Sequence, residues 1–242
     1  MALARQGSPV ECIAHRGFAG VHPENTLAAV RGAIETDADA VEVDVRRCAS
    51  GEVVVCHDAT VDRISDGSGN VDNLTLADLA ALDVLGTGEG IPTLSSVVDE
   101  LPPSVRLNVE LKERGLAGDV VECLTAADLG DWWLSSFDAG ALEAAASAGE
   151  DVPLALLVSP DGSSAAGDAE ATVSQAVALG CRAVHPHQDL VTRDLVRAAH
   201  EAGLRVNAWT VRSETTARRL VAAGVDGLIA DAPSCCLHDA GP

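Results

Sequence analysis

The feature that most constrains the fold of this chain is a unit that repeats through its second half. In each unit a helix-like stretch ends in glycine and a short apolar run follows. The glycines stand at positions 130, 149, 180, 203 and 224, so the unit recurs every 19 to 31 residues. Glycine is expected just past the end of a helix, where it adopts the left-handed conformation. Units of this length predict α-helices that alternate with parallel β-strands.

Eight apolar strand candidates can be counted along the chain, and a shorter one at residues 53–56 stands apart from them. The eight lie near residues 12, 40, 105, 132, 154, 182, 205 and 227. Eight parallel strands with helices between them make a (β/α)8 TIM barrel, and 242 residues suit one such domain over residues 1–242. A doubly wound open sheet is the alternative, although no glycine-rich dinucleotide or Walker pattern follows any strand.

Residues 59–91 interrupt the alternation of strands and helices. Turn-rich sequences at 66–70 and 86–90 flank one predicted helix at 76–82. Because so many glycines and turn residues leave little apolar sequence for a separate core, we do not expect a second domain here. We therefore predict a TIM barrel with a small insertion after the second barrel strand.

The strand candidate at residues 40–46 carries two acids. Successive side chains of a strand point to opposite faces, so Glu42 and Asp44 share one face and the valines share the other. In the strand at 105–112, Glu110 and Lys112 share a face in the same way. Buried carboxylates need a counter-charge, and their oxygens are preferred ligands of Mg²⁺ and Ca²⁺. Three acids from two strands could therefore hold one divalent cation, whereas the plain alternative is a half-exposed polar face.

Basic and titratable side chains follow the predicted strands, where a barrel of this type carries its functional groups. His15 and Arg16 end the first strand, and His57 ends the short extra strand. Two imidazoles could act as acid and base, because imidazole titrates near neutrality. Lys112 is the single lysine among sixteen basic residues, which indicates that a compact ammonium group is needed there. Arg16 and Lys112 could together hold an anion.

The net charge of −21 limits the partners of this protein. Nucleic acid and anionic membranes would be repelled by most of the surface, so an anionic substrate must meet a local positive site. Acidity of this degree, combined with the replacement of nearly every lysine by arginine, predicts a protein from a high-salt cytoplasm. Concentrated salt shortens the screening length to about 3 Å at 1 M and so relieves self-repulsion.

The cysteines and the absence of targeting signals also indicate the cytoplasm. Seven cysteines form no CxxC pattern, and we expect buried free thiols in a reducing compartment, with Cys235 and Cys236 as packing residues or an adventitious thiol pair. The first twelve residues contain no apolar run, so we expect no signal peptide. No segment approaches about 18 uncharged apolar residues, so we expect no membrane span.

Nine short motifs, in the same order along the chain, make the sequence resemble the glycerophosphodiester phosphodiesterase family. The motifs are His15-Arg16-Gly17, Pro23-Glu24-Asn25-Thr26, Glu42-x-Asp44, His57-Asp58, Asp66-Gly67, Ile91-Pro92-Thr93-Leu94, Glu110-Leu111-Lys112, Ser136-Phe137 and Trp209-Thr210-Val211. The resemblance covers roughly residues 11–235, and it implies a TIM barrel with a small insertion after the second strand.

The same resemblance implies a role for each candidate residue. It implies metal ligation of one Mg²⁺ or Ca²⁺ by Glu42, Asp44 and Glu110, acid–base catalysis by His15 and His57, phosphate contact by Arg16 and Lys112, and a pocket wall that includes Trp209. Because aromatic residues are scarce, the candidates for aromatic contact with substrate are Phe18, Phe137 and Trp209.

Several other residues are interpreted as structural. We expect Trp132 and Trp133 to serve in packing. His185 and His187 are expected in a polar loop. Glu24 and Asn25 are expected to shape the loop before the first helix rather than to bind metal.

The expected function is metal-dependent hydrolysis of glycerophosphodiesters to sn-glycerol 3-phosphate and an alcohol. The substrate would be a small-molecule phosphodiester, with no nucleic-acid partner. A lysophospholipase D-like activity on the same site is one alternative, and a catalytically silent phosphate-binding barrel is another. The sequence leaves open the preferred alcohol, the metal, the oligomeric state, and whether a glycerol hydroxyl or water attacks first.

Overall fold

A computed structural model of the protein describes residues 10–127, 129–160 and 168–236, and within them nine strands form one sheet that closes on itself. The strands are β1 (Glu11–His15), β2 (Ala40–Arg47), β3 (Val53–Val55), β4 (Arg106–Leu111), β5 (Trp132–Ser136), β6 (Leu154–Val158), β7 (Ala183–Pro186), β8 (Arg205–Val211) and β9 (Gly227–Ala230). Eight of them pair in parallel around a ring that the β1–β2 and β1–β9 pairings close. The predicted (β/α)8 TIM barrel is confirmed.

Helices surround the barrel. They are α1 (Leu27–Glu35), α2 (Leu76–Ala80), α3 (Leu94–Glu100), α4 (Ala117–Ala126), α5 (Ala139–Ala148), α6 (Ala169–Ala178), α7 (Arg193–Glu201) and α8 (Glu214–Ala223). Most begin at a capping residue whose side-chain oxygen accepts a backbone N–H, as Thr26 and Ser213 do. Among the described residues no helix exceeds ten residues, about half of what a bilayer crossing needs.

The main apolar core lies between the barrel and its helices. On β2, Val41, Val43 and Val45 are fully buried in this core, as the alternation of the strand predicts. Each fully buried valine contributes about 1.5 to 3 kcal/mol relative to an exposed one. Glu42 and Asp44 therefore lie on the opposite face of β2, which points into the barrel.

The predicted insertion lies between β3 and α3 and is attached through β3, which pairs antiparallel with β2. It has its own small apolar cluster, whose buried members are Cys48, Val54, Cys56, Val61, Ile64, Val71, Leu79, Val84 and Ile91. The helix predicted at 76–82 ends at Ala80, and a capping box between Thr75 and Asp78 fixes its start. The small cluster packs this segment without a second large core.

The glycine prediction holds at three of its five positions. Gly180, Gly203 and Gly224 have φ angles of 69°, 80° and 96°. Gly149 is extended, with φ at −164°. Gly130 has a different reason to be glycine, because a side chain there would collide with the carbonyl oxygen of Pro103.

The expectation of seven free thiols is wrong for Cys12 and Cys236, which form a disulfide with their Cα atoms 5.3 Å apart. Their separation of 224 residues hides the pair from sequence inspection, and only the β1–β9 pairing brings the two regions together. Cys235 stays a buried free thiol beside it. The expected absence of a signal peptide falls mostly on residues 1–9, which lie outside the described residues.

Candidate active site

A cavity of about 390 Å³ opens at the carboxyl ends of the barrel strands, and we call it the strand-end cavity. Eight of the nine predicted site residues line it, namely His15, Arg16, Glu42, His57, Glu110, Lys112, Phe137 and Trp209. The ninth, Asp44, is only 1 % exposed, and it contacts two of the lining residues, Arg16 and Lys112. The barrel thus brings together residues that are up to 194 positions apart, because parallel strands end on one side of the sheet.

The three predicted metal ligands form one cluster. One carboxylate oxygen from each of Glu42, Asp44 and Glu110 lies within 4.8 Å of the other two, and all three side chains are buried. The parallel register of β2 and β4 causes this arrangement, because it sets Asp44 beside Glu110 and Glu42 beside Asn108. Three buried oxygen donors at this spacing fit a hard divalent cation such as Mg²⁺ or Ca²⁺.

Two basic side chains partly balance this charge. The Nζ atom of Lys112 lies 2.5 Å from Glu110 Oε1 and 3.3 Å from Asp44 Oδ1. The Nε atom of Arg16 lies 3.2 Å from Asp44 Oδ2. Three carboxylates against two cations leave one negative charge when all groups are ionised, which favours a further cation.

The pKa values of the cluster reflect this imbalance. Burial, followed by the charges of Asp44 and Glu110, raises the pKa of Glu42 well above its usual value. Burial and the charge of Asp44 raise the pKa of Glu110 to about 7. Burial opposes the ionisation of Asp44 too, but the charges of Lys112 and Arg16 outweigh it and hold that pKa below its usual value. A bound divalent cation would favour the ionised form of all three acids.

The loop after β1 holds the acids in place. The backbone N–H of Arg16 donates to Glu42 Oε2 at 2.8 Å, and the side chain of Asn25 donates to Asp44 Oδ2 at 2.8 Å. Arg16 Nη1 also donates to Glu24 Oε1 at 2.8 Å. Glu24 and Asn25 therefore shape this loop, as expected, and Asn25 also orients one of the acids.

The two candidate acid–base residues each have a carboxylate partner. Nδ1 of His15 lies 2.6 Å from Asp231 Oδ1, and Arg212 Nε donates to the other oxygen of Asp231 at 2.7 Å. Asp231 directly follows β9, whose pairing with β1 places it beside His15. Sequence reasoning missed Asp231, although its position just after a strand was the signal that could have identified it.

His57 has the same kind of partner. Its Nδ1 lies 2.7 Å from Asp58 Oδ1, and Arg63 Nε donates to Asp58 Oδ2 at 2.6 Å. Burial lowers the pKa of His57, and Lys112 lowers it further, although Asp44 opposes the shift. The lowered pKa favours the neutral imidazole, and because Nδ1 lies beside Asp58, Nε2 is the ring nitrogen left for other partners.

Aromatic residues form one wall of the cavity. The rings of Trp209 and Phe137 meet edge to face with centroids 5.4 Å apart, and His187 meets Trp209 at 5.1 Å. Trp209 Nε1 donates to the backbone oxygen of His185 at 2.7 Å. His185 itself is fully buried in β7 and contacts Asn207, so the expectation of a polar loop is wrong for it. Its place at an inward-facing strand position explains the difference.

Three other aromatic residues lie away from this wall. Phe18 is buried in the apolar core, so it is not available for substrate contact. Trp132 and Trp133 are half-buried at the start of β5, where they line a separate cavity at the opposite end of the barrel. Both also pack against buried apolar residues, Trp132 on the main core and Trp133 on the small cluster of Ile13, Ala40 and Ile229, as expected.

Some residues of the strand-end cavity had no role in the sequence analysis. They are Asn108, Ser135, Leu157, Ser159 and Ile229. Asn108 and Ser135 are buried. In the sheet, Asn108 pairs with Glu42 and Ser135 pairs with Glu110. The alternation of β4 already puts Asn108 on the face that Glu110 and Lys112 share, and the alternation of β5 could have identified Ser135 as inward-facing in the same way.

The chain is similar to proteins of known family. Residues 15–235 match the family model of the glycerophosphoryl diester phosphodiesterase family. A glycerophosphodiester phosphodiesterase of Caldanaerobacter subterraneus is 30 % identical over 239 residues, covering 93 % of this chain and 96 % of that protein. A phosphodiesterase of Oleispira antarctica, solved in complex with the product sn-glycerol-3-phosphate, is 31 % identical with a TM-score of 0.82, covering 93 % of this chain and 94 % of that one. The glycerophosphodiester phosphodiesterase of Thermotoga maritima is 26 % identical with a TM-score of 0.81, covering 95 % of this chain and 97 % of that one.

Proposed function

Because the chain belongs to the glycerophosphoryl diester phosphodiesterase family, we propose that it hydrolyses glycerophosphodiesters to sn-glycerol 3-phosphate and an alcohol with one divalent cation. The single observation that carries the proposal is the strand-end cavity, in which a cluster of three buried carboxylates lies beside two histidines. The Oleispira antarctica relative, solved with the product sn-glycerol-3-phosphate, supports a glycerophosphate as the product here.

Glu42, Asp44 and Glu110 would hold the cation, which is Mg²⁺ or Ca²⁺ because the donors are all carboxylate oxygens. When bound, the cation polarises a phosphoryl oxygen as a Lewis acid. Arg16 and Lys112 line the same cavity and would bind the phosphate. Their positive charges stabilise the transition state more than the substrate, since the transition state carries more negative charge on its phosphoryl oxygens.

The two histidines would divide the proton transfers. His57 would act as the base, because its lowered pKa keeps Nε2 free to accept the proton of the attacking oxygen. His15 would donate a proton from Nε2 to the departing alkoxide, while Asp231 holds its Nδ1. The same base serves whether the attacking oxygen belongs to water or to the 2-hydroxyl of the glycerol. Trp209 and Phe137 would close the pocket around the organic part of the substrate.

The proposed activity is tested by measuring sn-glycerol 3-phosphate release from glycerophosphocholine with a coupled enzyme, with and without EDTA. We expect release that EDTA abolishes and added Mg²⁺ or Ca²⁺ restores. A protein that released choline from lysophosphatidylcholine but left glycerophosphocholine intact would instead be a lysophospholipase D. A protein that bound phosphate without any turnover would be a silent barrel.

We also propose that the barrel and the segment between β3 and α3 act as one catalytic domain that works at high salt concentration. The single-domain proposal is supported by the positions of His57 and Arg63, which follow β3. His57 lines the strand-end cavity, and Arg63 contacts Glu24, which forms the rim of the cavity through its contact with the lining residue Arg16. The high-salt proposal is supported by the net charge of −21. The Cys12–Cys236 disulfide counts against a reducing compartment, where such bonds are rare.

A further inference from the structure

The segment between β3 and α3 sends one arginine to the rim of the strand-end cavity. Arg63 donates from Nε to Asp58 Oδ2 at 2.6 Å, and from Nη1 and Nη2 to the two oxygens of Glu24 at 2.9 and 2.7 Å. Asp58 in turn contacts Nδ1 of His57 at 2.7 Å. The guanidinium group therefore joins two carboxylates from different loops, one of which holds the proposed base.

We propose that Arg63 is a positioning residue for His57, because it fixes the Asp58 carboxylate that orients the imidazole. The inference rests on the proposed function, which gives His57 its proton-transfer role. The planar guanidinium is suited to this task, since its fork of donors fixes direction as well as charge. A carboxylate held on both oxygens cannot rotate without breaking a charge-assisted hydrogen bond, so the ring beside it stays in one orientation.

The fold of the segment explains why Arg63 points this way. Its neighbours Val61 and Ile64 are buried in the small apolar cluster of the segment. The turn between them is held by hydrogen bonds from the backbone N–H groups of Ile64 and Ser65 to the Val61 oxygen. With the flanking side chains directed into the cluster, the half-exposed Arg63 is directed toward the cavity rim. The segment thus has a function for the site beyond covering β3.

The partners of Arg63 add two consequences. The hydrogen bond from Arg63 is the main reason that the pKa of Asp58 lies at about 2, so this carboxylate stays ionised and keeps the proton of His57 on Nδ1. Glu24 also accepts from Arg16, which contacts Asp44. The orientation of His57 is therefore linked, through one shared carboxylate, to the arginine proposed to bind phosphate.

The test compares Arg63→Ala and Arg63→Lys with a matched control, Arg31→Ala. Arg31 is as exposed as Arg63 and also joins two carboxylates, Glu89 of the same segment and Glu100, but it does not contact His57 or its partner. We expect Arg63→Ala to lower kcat by about 10- to 100-fold, the range seen when groups that orient a functional ligand are removed. KM should change by less than about threefold, and methylguanidinium should restore part of the lost kcat. Arg31→Ala should stay within about twofold of the wild type.

A second readout does not depend on turnover. In protein with ¹⁵N-labelled histidine, the His57 signals, assigned by their loss in His57→Ala, should show the Nδ1–H tautomer in the wild type and in Arg31→Ala. In Arg63→Ala they should show a mixture of tautomers, with Arg63→Lys between the two. Should Arg63→Ala fail to fold, Arg63→Lys carries the same comparison.

The positioning role is overturned if Arg63→Ala keeps more than about half of its kcat, or if kcat falls while the His57 tautomer stays unchanged. A wild-type protein without phosphodiesterase activity would defeat the proposed function alone. In that case, a tautomer change in Arg63→Ala would still support the positioning of His57, and an unchanged tautomer would overturn it.

Discussion

His57 and His200 each contact a carboxylate through one ring nitrogen, but they lie in different surroundings. His57 lines the strand-end cavity beside the acid cluster. His200 lies on α7 and contacts Asp226 at 2.8 Å, away from that cavity. Comparing these two histidines therefore distinguishes a histidine–aspartate contact in the proposed active site from one that serves only the fold.

Replacing each histidine by alanine tests the role of His57. We expect His57→Ala to lower turnover by about 10²- to 10⁴-fold, the usual contribution of a general acid or base, while Mg²⁺ or Ca²⁺ binding measured by calorimetry stays unchanged. His200→Ala should keep its activity. If His57→Ala retained most of the wild-type turnover, the acid–base assignment would be wrong.

Another histidine, His185, should make the free energy of unfolding depend on pH in the acid range. Burial, with a smaller contribution from the charge of Arg205, lowers the pKa of His185 to about 3 from its ordinary 6.5. Between about pH 3 and pH 6.5, His185 is therefore protonated in the unfolded chain but neutral in the folded protein. The free energy of unfolding should therefore fall as the pH drops from about 6.5 toward 3, by up to a few kcal/mol from this residue.

Urea unfolding at pH 4, 5, 6 and 7, with metal held constant, measures this effect. His185→Gln should show a flatter dependence of the free energy of unfolding on pH than the wild type, whatever its stability at pH 7. Parallel curves for the two proteins would mean that His185 is not the buried neutral group described here.

At the scale of elements, the β2–β4 pairing determines the proposed metal site, because it sets Glu110 beside Asp44. Glu110→Gln keeps the size of the side chain but removes a charged donor, so Mg²⁺ or Ca²⁺ affinity should fall on the order of tenfold or more. Glu113→Gln is the control, because Glu113 contacts Arg46 and Arg47 and does not line the cavity. Calorimetric titration would show equal affinities for the two variants if Glu110 were not a ligand.

The elements were largely predictable because their signals are local. The strands β6 and β9 begin at Leu154 and Gly227, where strand candidates were predicted, since each is an apolar run between turn residues. The acids on β2 and β4 were predicted to share one space from the alternation of each strand and the barrel that joins them. Their roles in binding and catalysis stay proposals.

What the sequence did not reveal depends on contacts between distant elements. Asp231 contacts His15 across 216 positions, and Cys12 bonds Cys236 across 224, in both cases because β1 and β9 close the barrel. Arg63 reaches Glu24 only through the turn that its own segment forms. The position of Asp231 just after a strand marks it as a candidate, but the partner of each of these residues follows only once the closure and the loops are known.

At the scale of the whole molecule, the property with the largest expected effect on stability is the net charge. The net charge of −21 acts against the compact state, although many surface arginines are paired with acids, as Arg31 and Arg47 are. With metal held constant, the melting temperature should be higher in about 2 M KCl than in about 20 mM KCl, because salt screens this repulsion. A melting temperature that is the same at both concentrations would argue against a high-salt origin.

A crystal structure of the protein with Mn²⁺, recorded at the manganese absorption edge, is the most direct test of the proposed metal site. Mn²⁺ takes the same oxygen ligands as Mg²⁺ and gives an anomalous signal that locates it. We predict one peak in the strand-end cavity, about 2.0 to 2.6 Å from oxygens of Glu42, Asp44 and Glu110. An anomalous difference map with no peak at these carboxylates, or with a peak beyond bonding distance of one of the three, would contradict the proposed metal site.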